Sequence, residues 1–280
     1  MSFRLTRALF LMPAFLLIGP ALPAAAEDDS AGKKPPTLNE LSMEVSALQT
    51  IYIFDFTPNQ LKMLRKLAKD TAGDTGARQK SRASSDFHKI LSKLRDALAT
   101  AKNEELIDEL QEKLEGLRDK ENPDLDDGLE ITDEARTHAP EVLKLLTARQ
   151  VAAHVASFGT QMPDPVETLL TALDGVRELD DKKWKEFRDE IPEEIGRLAA
   201  GLNVEKGGEI AEKVVQLFIE VRSLKNDEFK ARHQELEKTA RQILGNIGPF
   251  DVLRHIVEAS LAELLSNPRL AAAVDARLKK

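Results

Sequence analysis

The chain of 280 residues has no cysteine, one tryptophan, one tyrosine and five histidines. Without cysteine, it cannot build a disulfide scaffold, a thiolate nucleophile, a cysteine-ligated zinc site or an iron–sulfur cluster. Aromatic residues make up only 5% of the chain, which is few for stacking on bases or sugars. These absences exclude several classes of catalytic and binding protein.

The remaining composition is typical of a folded helical protein. Hydrophobic residues make up 42% and charged residues 31% of the chain, a balance that separates it from disordered sequences. The length is enough for one or two domains, each with its own core.

The N-terminus has the pattern of a secretory signal peptide. Arg4 and Arg7 precede an apolar run of 11 residues, 8–18, and three alanines end the segment at Ala26. We predict a signal peptide over 1–26 with cleavage after Ala26. The apolar run is too short for a membrane span, which needs about 20 residues. The mature protein is therefore predicted to be exported, periplasmic or secreted, without a membrane span, and to begin with a flexible linker over 27–36.

The mature chain is acidic. Removal of residues 1–26 takes away Arg4 and Arg7 and no acidic residue, which leaves 38 basic and 48 acidic residues. A net negative surface argues against nucleic acid and anionic membranes as partners.

Apolar residues at spacings of three and four, preceded by helix-capping residues, predict an all-α fold of about ten helices without a sheet. Residues 84–101 and 103–121 are predicted to form a helical hairpin, and Pro192 predicts a kink or break in a later helix. Loops are expected at 73–85 and 159–165. The second loop would divide the mature chain into two helical lobes, 37–160 and 161–280.

Two six-residue segments repeat one helix-start pattern 90 residues apart. In the first, Thr57 is the predicted N-cap, Gln60 stands three residues later, and Phe56 and Leu61 form a hydrophobic staple. The second segment has the equivalent residues Leu146, Thr147, Gln150 and Val151. We expect the loss of either threonine to cost about 1 kcal/mol.

This pattern resembles the LTxxQ motif of Spy/CpxP-type periplasmic stress proteins. The second segment matches the motif fully with Leu146, Thr147 and Gln150. The first segment differs at one position, where Phe56 replaces the leucine. The resemblance extends from Thr37 to about Phe158. It implies an exported all-helical protein; some members act as ATP-independent chaperones or sensors of envelope stress, and related members bind metal. The motif residues look like fold determinants, and a purely structural role for them remains the alternative.

No other motif points to chemistry. Residues 124–134 have the glycine and final glutamate of a calcium loop, but Pro123 and Leu125 stand where carboxylates are required, so we interpret the segment as an acidic turn. His154 is predicted to be partly buried and hydrogen-bonded, and no two histidines have the spacing of a metal site. A small basic cluster of Arg78, Lys80 and Arg82 is interpreted as part of a solvated loop, and a contact with an acidic partner is the alternative. We predict no cofactor, no metal and no catalytic residue.

Three functions remain open from the sequence. The first is an exported, non-enzymatic binding protein, chaperone-like or related to envelope stress, with polypeptide clients or another envelope protein as partners. The second is a structural assembly module that forms homo-oligomers through a helix face. The third is a hydrolase whose site is assembled from carboxylates on different helices.

Overall fold

A computed structural model describes residues 36–73, 83–121, 130–157, 164–245 and 247–279, except for the side chain of residue 186. The predicted signal peptide, nearly all of the linker, the basic cluster at 78–82 and most of the acidic turn lie outside the described residues. Within these ranges the fold is all-α, as predicted, with 13 α-helices, one short 3-10 helix and no strand. No helix in the described ranges is long and apolar enough to cross a membrane.

Contacts divide the chain into two compact units. The first unit comprises Met1–Gly159 and Ser260–Lys280, and the second comprises Thr160–Ala259. The helices of the first unit are α1 (Leu38–Phe54), α2 (Pro58–Thr71), α3 (Ser85–Thr100), α4 (Glu104–Glu121), α5 (Asp133–Leu143), α6 (Ala148–Ser157) and α13 (Leu270–Leu278). Those of the second are α7 (Pro165–Gly175), the 3-10 helix (Val176–Glu178), α8 (Asp181–Ala200), α9 (Val204–Arg222), α10 (Asn226–Ala231) and α11 (His233–Leu244). Helix α12 (Pro249–Ser266) begins in the second unit and ends in the first.

The division corrects one predicted boundary. The sequence places all residues after 160 in the second lobe, whereas Ser260–Lys280 belong to the first unit. Helix α13 packs against α1 and α2, and Arg65 of α2 forms an ion pair with Asp275 of α13. Because these partners are about 200 residues apart, no local pattern indicates the contact.

Helix α1 is the centre of the first unit. It packs against α3, α6 and α13, and a capping box fixes its start, in which the Thr37 side chain accepts from the Glu40 amide. Its fully buried apolar residues are Val45, Leu48, Ile51 and Phe54. The predicted hairpin is confirmed, since α3 and α4 pack together across a three-residue connection.

In the second unit, α8 and α9 form a tightly packed hairpin. A Cβ atom built on Gly196 would lie 2.4 Å from the carbonyl oxygen of Gly207, so the two backbones approach as closely as glycine allows. Helix α8 continues through Pro192, so of the predicted kink or break the break is wrong, and the kink stays a prediction. A proline removes one backbone donor, and we attribute the continuity to the close packing of α8 on α9.

Candidate functional site

The first LTxxQ-like segment forms a complete capping box at the start of α2. The Oγ1 atom of Thr57 accepts from the Gln60 amide at 3.4 Å, and the Oε1 atom of Gln60 accepts from the Thr57 amide at 2.8 Å. Phe56 and Leu61 on either side are buried. Asp55 precedes the segment in the left-handed region, with φ of 47°, and turns the chain from α1 into α2.

The second segment repeats this geometry at the start of α6. The Oγ1 atom of Thr147 accepts from the Gln150 amide at 3.3 Å, and Gln150 Oε1 accepts from the Thr147 amide at 3.0 Å. Gln150 is buried, with 6% of its surface exposed. The flanking residues Leu146 and Val151 are half-buried, so this start lies closer to the surface than the first.

The two glutamines bind each other. Gln60 Nε2 donates to Gln150 Oε1 at 3.2 Å, and Gln150 Nε2 donates to Gln60 Oε1 at 2.9 Å. Each amide also donates to a carbonyl in the other segment: Gln60 to Leu145 at 2.8 Å and Gln150 to Asp55 at 3.2 Å. Both carbonyls stand two residues before the threonine of their segment, so the arrangement is symmetric. We call it the paired-glutamine junction.

The junction explains why both segments have glutamine at the third helical position. A capping box needs only an acceptor there, and α1 uses Glu40 for this purpose, with the Thr37 amide donating to its Oε2 at 2.8 Å. Only an amide can also donate to the opposite segment. The sequence predicts the caps, but the pairing was missed. One signal in the sequence could have indicated the pairing: the third helical position is glutamine in both segments, whereas it is glutamate in α1.

His154 lies one turn beyond Gln150, on the same helix. Its ring stacks on Phe54, with 4.1 Å between ring centroids and 17° between ring planes, and its Nε2 atom lies 3.0 Å from Ser260 Oγ. The side chain is 3% exposed, more deeply buried than the partly buried histidine predicted. Burial lowers the pKa of His154 to about 4. The ring is therefore neutral at neutral pH and serves as part of the core.

Acid should destabilise the first unit through His154. Its pKa in the native state is about 4, whereas an unfolded histidine titrates near ~6.5, so the unfolded state binds more protons between these values. The stability present above pH ~6.5 is lost as the pH falls toward ~4. We expect His154 to account for a loss of about 2 kcal/mol between pH ~7.5 and ~4.5, measured by urea unfolding followed by circular dichroism.

The variant His154→Phe provides the control, because it retains an aromatic ring beside Phe54 and removes the titrating group. Its free energy of unfolding should fall less steeply with pH than that of the parent, while the carboxylates contribute equally to both. Equal slopes would contradict the prediction, as would an NMR titration that places the pKa of His154 at its ordinary value.

A second polar cluster lies within the first unit, and the sequence reasoning did not find it. Glu44 of α1 is 1% exposed. Its carboxylate accepts from Arg95 Nε of α3 at 2.8 Å and from the Arg269 guanidinium at 3.1 Å. A buried carboxylate is tolerated only when it is paired in this way. The cluster joins α1 to α3 and to the residue that precedes α13, which is a structural role.

Among the described residues, no group of three or more histidines, aspartates or glutamates lies close enough to hold a metal ion. The prediction that the protein uses no metal or cofactor stays a prediction. The paired-glutamine junction is the candidate site because it brings the two LTxxQ-like segments together, and its chemistry is that of positioning backbone and side chains.

No protein-family model, curated protein or solved structure matches this chain. The resemblance to LTxxQ proteins depends on the residues of the two segments.

Proposed function

We propose that the protein is an exported, non-enzymatic binding protein of the LTxxQ type, with chaperone-like action on partly unfolded polypeptides. The observation that carries this proposal is the paired-glutamine junction, because it gives the two sequence motifs one shared structural purpose. The predicted signal peptide supports export. The acidic mature chain favours solubility.

The junction also positions a surface that could contact a client. Gln60 binds the carbonyl of Leu145, while the Leu145 side chain stays 47% exposed in the connection between α5 and α6. Leu145 is thus an exposed apolar side chain held beside the junction, and we propose it as a point of contact with a client. Other large exposed apolar residues are Leu106, Val204, Ile219 and Phe250.

The proposal is tested with the mature chain, residues 27–280, added to a model client during thermal aggregation. At an equimolar ratio, light scattering by the client should fall by at least about half, because each bound client is withheld from aggregation. Leu145→Ser should weaken this protection, whereas Lys144→Ser, at the exposed neighbouring position, should not. No protection by the parent would contradict the chaperone-like function. If Leu145→Ser and Lys144→Ser protect the client equally well, Leu145 is not part of the surface that contacts the client.

A further inference from the structure

The exposed face of α2 carries a stripe of basic residues. Its members follow the spacing i, i+3, i+4 and i+7, which places them side by side on one face of the helix: Lys62, Arg65, Lys66 and Lys69. All four are exposed, and Asp70 is the only acidic residue of α2. The mature chain has more acidic than basic residues, so the stripe is a local reversal of its charge. We call it the α2 basic stripe.

Neighbouring charges within the stripe repel each other. Every pair of its members that stands three or four residues apart has the same sign, and like charges at these spacings destabilise a helix. Other helices have opposite charges at the same spacing, as in the ion pairs Glu109–Lys113 and Glu237–Arg241. The stripe therefore weakens α2, and neither helix formation nor packing explains it. A partner with negative charge would remove the repulsion.

One edge of the stripe already binds a carboxylate. Arg65 and Asp275 of α13 form a bidentate pair, in which Arg65 Nη2 donates to Asp275 Oδ2 at 2.9 Å and Arg65 Nε donates to Oδ1. The Arg65 guanidinium holds the pKa of Asp275 below its usual value, and the charge of Lys279 acts in the same direction. The three lysines of the stripe form no ion pair within the described part of the chain. Their side of the face is open to further carboxylates.

We propose that these three lysines bind an acidic segment of a polypeptide partner. From Lys62 to Lys69 the stripe covers about 10 Å of helix. Side chains on one side of an extended segment stand about 7 Å apart, so two or three carboxylates at alternate positions match the length of the stripe. The flexible lysine side chains adjust to the spacing of the partner.

A membrane surface or a nucleic acid fits this face less well. Both present negative charge over an area much larger than the stripe, and the acidic residues around it would then be repelled. Asp70 at the end of α2 is exposed, as are Asp133 and Glu134 at the start of α5, which packs against α2. A short acidic segment contacts the lysines and avoids these carboxylates.

Fluorescence anisotropy with the mature chain tests the proposal. The probe is a labelled peptide of about ten residues in which glutamate and serine alternate. The parent should bind it with a Kd of roughly 10–500 µM at low salt, and an increase from ~20 to ~200 mM salt should weaken binding at least about fivefold, because exposed charges are screened. Lys62→Gln, Lys66→Gln and Lys69→Gln in one variant should weaken binding at least about tenfold. The same peptide with glutamine in place of glutamate should not bind.

A matched control changes the net charge equally but away from α2. Three exposed lysines of the second unit are replaced by glutamine in one variant, which should bind the peptide within about twofold of the parent: Lys182, Lys206 and Lys213. The stripe variant should unfold in urea no earlier than the parent, because it loses only repulsive pairs. Earlier unfolding would assign the lysines to the fold and overturn the proposal.

Four other results also overturn the proposal. They are a parent that does not bind the acidic peptide, a control variant that loses as much affinity as the stripe variant, tighter binding of the parent to phosphatidylglycerol vesicles than to the peptide, and a dimer of the parent that the stripe variant abolishes. The test is independent of the chaperone-like function. A chain that binds the peptide but does not protect a client retains the role of the stripe and contradicts that function, whereas a chain that protects without binding the peptide does the reverse.

Discussion

Replacing Gly196 with alanine should lower the free energy of unfolding of the second unit by about 3 kcal/mol. The added methyl group would lie 2.4 Å from the carbonyl oxygen of Gly207, and that oxygen is backbone, which cannot move aside without separating α8 from α9. Urea unfolding followed by the fluorescence of Trp184 measures the effect, because this tryptophan lies on α8 itself.

The neighbouring glycines of α9 supply matched controls. A Cβ atom on Gly208 meets no atom within 4 Å, so Gly208→Ala should be neutral or stabilise by up to about 1 kcal/mol through its helix propensity. A Cβ on Gly207 lies 3.5 Å from the Gly196 carbonyl oxygen, an ordinary contact, and Gly207→Ala should have a small effect. If Gly196→Ala changes the free energy of unfolding no more than Gly208→Ala does, α8 and α9 do not approach each other as closely as described.

The second large effect is expected for Gln150→Glu, which should cost about 3 kcal/mol of first-unit stability. Glutamate preserves the shape and the cap acceptor but loses both donated hydrogen bonds. It also places a buried negative charge against Gln60 Oε1 and the Asp55 carbonyl, the two acceptors that Gln150 Nε2 now contacts. The midpoint of urea unfolding at neutral pH, followed by circular dichroism, gives the loss.

Two further measurements separate the junction from the caps. Glu40→Gln makes the reverse change in the α1 capping box, where the side chain accepts from the Thr37 amide and forms an ion pair with Arg269 at 3.5 Å, and should cost no more than about 1 kcal/mol. The difference in free energy of unfolding between Gln150→Glu and the parent should become smaller in acid, because a protonated carboxyl group regains one donor. If Gln150→Glu unfolds with the same free energy as the parent, the role assigned to the two glutamine amides is contradicted.

The sequence predicts helix starts well because caps are local. The side chains of Thr57 and Thr147 bind amides three residues away, so short-range rules suffice for them. The junction between Gln60 and Gln150 spans 90 residues and depends on how α1, α2 and α6 meet, which no spacing rule reports. The burial of His154 is of the same kind: the sequence predicts a partly buried, hydrogen-bonded histidine, but its neighbours Phe54 and Ser260 come from distant parts of the chain.

Two expectations, a helix break at Pro192 and the end of the second lobe, are wrong where tertiary contacts override a local rule. Pro192 is a helix breaker by propensity, yet α8 runs through it while packed against α9. The last helices look like a continuation of the second lobe, yet they return to the first unit. There the Thr71 hydroxyl donates to the Leu265 carbonyl at 2.7 Å, and Asn267 donates to the Met43 carbonyl at 2.9 Å.

The discontinuous first unit has a consequence for the order of folding. The second unit, Thr160–Ala259, is complete as soon as residue 259 has been synthesised, while the first still lacks α13. Until then α1 and α2 expose the apolar surface that α13 covers. A chain shortened to Ala259 would therefore be an aggregation-prone intermediate, with one finished unit inserted into an unfinished one.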